Sequence, residues 1–258
     1  MRTLPVAIFT HDRTACAMAV VDSLIRNLRC GERRIEWILC DDRSKPGHVA
    51  AVVDVFRRAG IEPTVHLNND GRTGLGAAMN KGLVDAFGRS HECLRIEDDW
   101  LLKRPLDLGD WVEDMDKLSI GSLRLGMMFR KPHELLRYAD GLLRVVSDMH
   151  RTYTFNNQVA VVTDTVYDLC GLYKENVPPA EVEKDMAIKY NRITSKCKAS
   201  PWVCWPDGWA TNKYYDDTLP FAHVGQSTIG HGYRIPDKYK ELNDPALDLD
   251  IRKRYLPA

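Results

Sequence analysis

Residues 93–100, CLRIEDDW, run from a short apolar segment straight into three acids, Glu97, Asp98 and Asp99. An apolar run of this length fits a strand buried on both faces, and the acids then stand where the strand leaves its sheet. The pattern repeats upstream. Leu4 to Thr10 is an apolar run ending in Thr10-His11-Asp12-Arg13, and Ile35 to Cys40 is another, ending in Asp41-Asp42. Between them Ala17, Val20, Val21, Leu24 and Leu28 recur at helical spacing. Val49, Val52, Val53 and Phe56 do the same before Gly60. Thr64 to Leu67 reads as a further strand, and Ala77 to Phe87 as a helix closed by Gly88. Strand and helix in alternation predict an α/β fold, a mostly parallel Rossmann-like sheet with helices on both faces. In such sheets ligands bind beyond the carboxyl ends of the strands, where Thr10, Asp42 and the acids at 97–99 converge.

The second half is patterned differently. A helix is expected over Trp111 to Leu118, strands over Leu123 to Phe129, Leu142 to Val146 and Gln158 to Thr163, and helices over Thr165 to Leu172 and Glu181 to Asn191. The stretch from Lys198 to Gly232, rich in Trp, Pro, Gly and His, reads as irregular. Residues 1–105 and 106–234 are expected to be two halves of one domain, with 235–258 a C-terminal arm.

Thirty-six basic residues balance thirty-six acidic ones, which gives no reason to expect nonspecific attraction to nucleic acid or anionic lipid. Nothing approaches the roughly 20 apolar residues of a membrane helix. MRTLPVAIFT lacks the charged, apolar and small-residue regions of a signal peptide. The seven cysteines are scattered, with no Cys-x-x-Cys pair, so reduced buried thiols in a cytoplasmic compartment are the expectation.

Four segments together resemble the family 2 glycosyltransferases of the GT-A fold. VAIFTHDR (6–13) is similar to that family's first strand and its exit, and ILCDDRS (38–44) to its second strand followed by Asp-Asp-x-Ser. NNDGRTGLGAAMNKGL (68–83) is similar to its glycine-containing loop, and LRIEDDW (94–100) stands where it carries an Asp-x-Asp metal motif. The resemblance covers roughly the first hundred residues. It implies transfer of a sugar from a nucleotide-sugar donor, most often a UDP-sugar, to an acceptor hydroxyl with inversion, assisted by Mn2+ or Mg2+.

By that resemblance Asp99 is the metal ligand, Asp98 faces the donor's ribose or sugar, and Asp42 accepts from the base, with Thr10, His11 and Arg13 lining the same pocket. The sequence reads Glu97-Asp98-Asp99 rather than a strict Asp-x-Asp, which leaves the ligand open by one position. Hard divalent cations prefer carboxylate oxygen and bridge diphosphates, which suits the acidic pair; a solvated turn after a strand would read the same. Arg72 and Lys81 are candidates for the donor diphosphate or sugar, or belong to a flexible loop and a solvated helix face. Asp185, with Glu183 as its rival, matches the family's general base, although acids also favour a helix N-terminus. His223 is the candidate for the late histidine some GT-A enzymes add as a metal ligand. Trp202, Trp205 and Trp209 form either an acceptor platform or a small satellite core.

The acceptor is left open among a glycan, a protein and a modified DNA base. Compact transferases without anchors also occur in bacteriophages, in which case the compartment is the host cytoplasm. Two rival readings are a nucleotidyltransferase, disfavoured because the first strand exits into Thr-His-Asp-Arg rather than a glycine-rich signature, and an inactive glycan- or nucleotide-binding module of the same fold.

Overall fold

The elements follow in the order β1 (Thr3–Thr10), α1 (Thr14–Asn27), β2 (Leu28–Arg29), β3 (Arg34–Asp41), α2 (His48–Arg58), β4 (Thr64–Leu67), α3 (Leu75–Phe87), β5 (Glu92–Glu97), β6 (Trp100–Leu102), β7 (Leu106–Asp107), α4 (Gly109–Lys117), β8 (Ile120–Arg124), β9 (Leu135–Ala139), β10 (Leu142–Val145), β11 (Ala160–Thr163), α5 (Asp164–Cys170), α6 (Pro179–Cys197), β12 (Trp202–Pro206) and β13 (Phe221–His223). They are drawn from a computed structural model, which describes residues 2–126, 135–145, 155, 158–197, 202–206, 219–224 and 254–255.

A nine-stranded sheet in the order β4-β3-β1-β5-β11-β8-β12-β10-β9 organises the chain. The first four positions are parallel, β11 runs antiparallel to both its neighbours, and β12 lies parallel to β8. The chain returns to opposite sides of β1 for β3 and β5. That reversal opens a crevice between the carboxyl ends of β1 and β5, where α/β sheets bind ligands.

Alternation along β1 splits the core in two. Leu4, Val6 and Ile8 face a cluster with Val20, Val21 and Leu24 of α1, Val52 and Phe56 of α2, and Val112 and Met115 of α4. Ala7 and Phe9 face the opposite cluster, with Met79 and Leu83 of α3, Val166 and Tyr167 of α5, and Val182 and Met186 of α6. The apolar stripes that identified these helices are the faces they bury. Tyr255 returns to α1, packing beside Ala15, Ala19 and Val224 with its hydroxyl on Asp22. Cys16, Cys30, Cys40, Cys93, Cys170 and Cys204 are buried thiols. Among the described residues no helix is long and apolar enough to cross a membrane.

Parts of the second half depart from expectation, including β13, which lies in the stretch expected to be irregular. β8 begins at Ile120 and ends at Arg124, where a strand was expected over 123–129, of which 127–129 lie outside the described residues: Ser119 turns at φ 50° and the strand begins at once, its Gly121-Ser122 interrupting the apolar run by which strands are read. β9 was not anticipated. Trp202–Pro206, expected to be irregular, is a strand inserted between β8 and β10. Its partners come from distant sequence, so no local signal marks it.

Candidate active site

The carboxyl ends of β1, β3 and β5 are tied together by buried hydrogen bonds. Thr10, 3% exposed, donates its hydroxyl to Asp98 Oδ2 at 2.8 Å. The backbone N–H of His11 donates to the same oxygen at 3.1 Å. His48 Nε2 lies 2.7 Å from Thr10 Oγ1, and Thr14 Oγ1 lies 2.8 Å from His48 Nδ1. Because the Thr10 proton is committed to Asp98, His48 donates to Thr10 from Nε2. Burial pushes the His48 pKa down despite the nearby acids. No sequence motif pointed to His48. The usable signal was a histidine four positions before Val52, on the apolar stripe of α2.

At the end of β3 the two acids divide their work. Asp41 accepts from the backbone and hydroxyl of Ser44, holding the turn. Asp42 Oδ1 accepts from the Gly74 N–H at 2.9 Å and from Asn68 Nδ2 at 3.1 Å, which ties the glycine loop to this strand. His11 Nδ1 lies 2.6 Å from the Asp42 carbonyl oxygen. Asp12 adopts the left-handed region at φ 56°, where its carboxylate accepts from the Lys45 N–H.

Arg13 leaves this turn and lays its guanidinium across both acids, pairing Nη2 with Asp98 and Nη1 with Asp99 Oδ2 at 2.5 Å. Asp99 receives a second partner from far away. β13 pairs antiparallel with β6, matching His223 to Trp100, and the Val224 N–H donates to the Asp99 carbonyl at 2.7 Å. His223 Nε2 thereby stands 3.2 Å from Asp99 Oδ2, its ring edge-on to Trp100. The three acids are sharply differentiated by this arrangement. Burial would raise all three. The Arg13 guanidinium and His223 instead hold Asp99 well below the usual carboxylate range. Asp98 is raised by burial against the pull of Arg13, and Glu97 is raised well above its ordinary value, with Asp99 and Glu183 adding to the effect of burial. Asp98 is 0% exposed and its oxygens face Thr10, His11 and Arg13, so as placed it offers no surface to a donor sugar. It braces the loop after β1. Asp99 Oδ1, like Asp98 Oδ1, is buried with no hydrogen-bond partner, but only the Asp98 oxygen is ion-paired with Arg13.

No family model matches this sequence, and no curated protein is similar to it in sequence. Solved structures are similar in fold. The mannosyltransferase PcManGT from Pyrobaculum calidifontis, solved with GDP-Man and Mn2+, superposes with a TM-score of 0.52 at 15% identity, over 81% of this chain and 59% of that one. S. aureus TarS 1-349 with UDP-GlcNAc gives 0.52 at 14% identity, over 80% and 56%. GalNAc-T7 with UDP, GalNAc and Mn2+ gives 0.56 at 13% identity, over 80% and 42%. The fold is GT-A. This chain spans less than two thirds of the length of those proteins.

The glycine loop joins the end of β3 to the segment between α5 and α6. Thr73 donates from N–H and hydroxyl to Asn176 Oδ1 and accepts from the Asn176 N–H. Asn80 bonds both the carbonyl and the N–H of Tyr173. Gly76 permits this contact, since a Cβ there would fall 1.8 Å from the Lys174 carbonyl oxygen. Gly76→Ala therefore forces backbone apart and is expected to cost about 3 kcal/mol or more, lowering the melting temperature by roughly 6–12 °C. A variant melting within a degree of the parent would refute this packing. Arg72 and Lys81 are not brought to the acidic pair. Arg72 pairs with Asp70 at 2.9 Å and reaches Glu175 at 3.6 Å. Lys81 pairs with Asp70 at 3.0 Å and donates to the Leu67 carbonyl at 2.7 Å. Both line a cavity between β4 and α3.

On α6 the two candidate bases differ in company. Asp185 pairs with Lys189 at 2.7 Å and Lys174 at 3.3 Å, and these hold its carboxyl below the usual range against burial. Glu183 lies half-buried on α6, where its charge adds to the effect of burial in raising the Glu97 carboxyl and the Tyr173 hydroxyl. Trp202 and Trp205 are β12 residues rather than a free platform. Trp205 is 4% exposed in the α3–α5–α6 core, and Trp202 is half-buried beneath the Arg144 guanidinium. Trp209 lies outside the described residues.

Proposed function

We propose that the chain is a glycosyltransferase that moves a sugar from a nucleotide diphosphate donor, a UDP-sugar, to an acceptor hydroxyl with inversion. The observation that carries the reading is the meeting of Asp99, Arg13 and His223 at the crevice between β1 and β5. In this reading residues 1–105 form the donor half, 106–234 the acceptor half and 235–258 an arm.

The donor set fits a divalent cation. Asp99 contributes a carboxylate oxygen with no competing hydrogen bond and His223 an imidazole nitrogen, a combination that suits Mn2+ or Mg2+. Among the described residues no group of three or more His, Cys, Asp or Glu converges as a complete cage, so such an ion would depend on the donor's own oxygens. When bound, it would supply positive charge to the departing diphosphate without any proton transfer. Arg13 is a second cation at the same point, and its planar guanidinium matches phosphate oxygens once it turns from the acids. Asp42 and His11 frame the base side, where a carboxylate accepts from ring N–H groups. Glu183 takes the proton of the attacking hydroxyl, with Asp185 bracing α6 through its two lysines.

A screen of UDP- and GDP-sugars by thermal shift, with and without Mn2+, tests the reading. A donor at about a hundred times its dissociation constant adds roughly 2.7 kcal/mol, a shift of about 5–10 °C. The expected result is a UDP-sugar shift enlarged by Mn2+, accompanied by slow donor hydrolysis. Absence of any shift with every nucleotide sugar would overturn it.

A further inference from the structure

Arg124 ends β8 with its guanidinium inside the protein. The residue is 3% exposed, and its Nη2 donates to Gln158 Oε1 at 3.2 Å, while Nε and Nη1 are buried with no hydrogen-bond partner. Its guanidinium carbon lies 4.3 Å from the centroid of the Trp205 ring. The next large side chain in the same row is another arginine. Ala160 of β11 is paired with Arg95 on one side and Arg124 on the other, so both side chains rise on the face covered by α3, α5 and α6. Arg95 is fully buried and held by the hydroxyls of Tyr167 and Tyr173 and the Gln158 carbonyl. Two neighbouring guanidinium groups in the interior are costly, because each charge loses its hydration and repels the other. Burial and Arg95 together pull the Arg124 pKa down to about 9, the opposite of what a carboxylate partner would do.

The location gives this cost a use. β8 and β5 both run antiparallel to β11, so Arg124 sits at the same sheet edge as the acids after β5. Alternation along β5 puts Glu97 on the same face as Arg95, and α6, which carries Glu183, packs on that face. The guanidinium therefore stands on the acceptor side of the candidate site, away from the Arg13 pair. Its fork of N–H groups fits the oxygens of a phosphate or carboxylate, and a charged donor bonded to an oxyanion gives the strongest of ordinary hydrogen bonds.

We propose that Arg124 binds an anionic oxygen group, phosphate or carboxylate, carried by a substrate of this protein. Which substrate carries it rests on the glycosyl-transfer reading; the anion site itself does not.

The test compares the intact chain with Arg124→Met, a variant of similar length without the charge. Melting temperatures are measured in sodium chloride and in sodium phosphate at equal ionic strength and neutral pH. The expected result is that the variant melts higher in chloride, because an uncompensated buried charge is gone, and loses most of the phosphate increment seen in the parent. Equal phosphate increments in the two proteins overturn the proposal, whichever melts higher. If the methionine variant does not fold, Arg124→Gln is read in the same way. UDP-glucuronate against UDP-glucose then separates the sources. A gain for the glucuronate that the variant lacks places the anion on the donor sugar. Donors that behave alike in both proteins, with the phosphate increment still tied to Arg124, place it on the acceptor. A phosphate increment tied to Arg124 together with no response to any nucleotide sugar keeps the anion site and rejects the transfer reading.

Discussion

Asp99→Asn is expected to reduce sugar transfer by about three orders of magnitude, the scale of losing one charged group aimed at a leaving group. The substitution keeps the side chain's volume and its place after β5. What it removes is the negative charge that gathers Arg13 and His223 at one point. Folding should suffer less than for an ordinary buried ion pair, where deleting one partner costs about 3–5 kcal/mol. Arg13 retains Asp98, and Asp98 loses a like charge that now adds to its burial penalty. The variant should therefore fold, bind the bare nucleoside through the loops after β1 and β3, and lose the Mn2+-dependent part of its donor stabilisation. Undiminished transfer, or an unchanged Mn2+ effect on donor binding, would remove Asp99 from the proposed role.

Glu183→Gln should lower kcat by about a thousandfold, within the range general bases contribute, with donor affinity unchanged. The side chain stands half-buried on α6. Removing its charge also relieves Glu97 of a like neighbour, so the melting temperature should hold or rise. Asp185→Asn is the matched control and should keep transfer intact. The Asp185 carboxyl is held low by two lysines whose side chains are 33% and 56% exposed, so solvent screens the pair and its loss costs up to about 1 kcal/mol. A depressed carboxyl stabilises the fold above its unfolded pKa, and the contribution fades as pH falls through the folded one. The control should therefore differ from the parent near neutrality and converge with it in acid. Loss of transfer in Asp185→Asn with retention in Glu183→Gln would reverse the assignment.

The first half was legible in the sequence because its strands are parallel and covered on both faces, which leaves continuous apolar runs such as Val6 to Phe9 and Ile38 to Cys40. The helices between them carry apolar stripes, and α2 and α3 end at glycines. Those local signals delivered the order of elements and hence the sheet edge where Thr10, Asp42, Asp98 and Asp99 assemble. What they could not deliver was the division of labour within that edge. Asp98 and Asp99 are adjacent and chemically identical, yet one is sealed under Thr10 and Arg13 while the other reaches His223, a difference set by a strand from the far end of the chain. Lys81 illustrates the same limit, since its helix position allowed a phosphate contact but the fold turned it towards Asp70 and the Leu67 carbonyl. β12 escaped detection because a five-residue strand held by distant partners has no period of its own to read.

The pairing of β13 with β6 also sets the order in which the molecule is completed. A chain emerging from the ribosome can build β1, β3 and β5 and present both aspartates while everything after residue 102 is still to come. The imidazole arrives only with residue 223, after the chain has closed a long loop whose entropy opposes the contact. Half-made protein should thus carry acids without their last partner, and competence would be acquired in a single late step. A chain cut before residue 219 should keep the sheet edge but lack β13, and with it the imidazole beside Asp99.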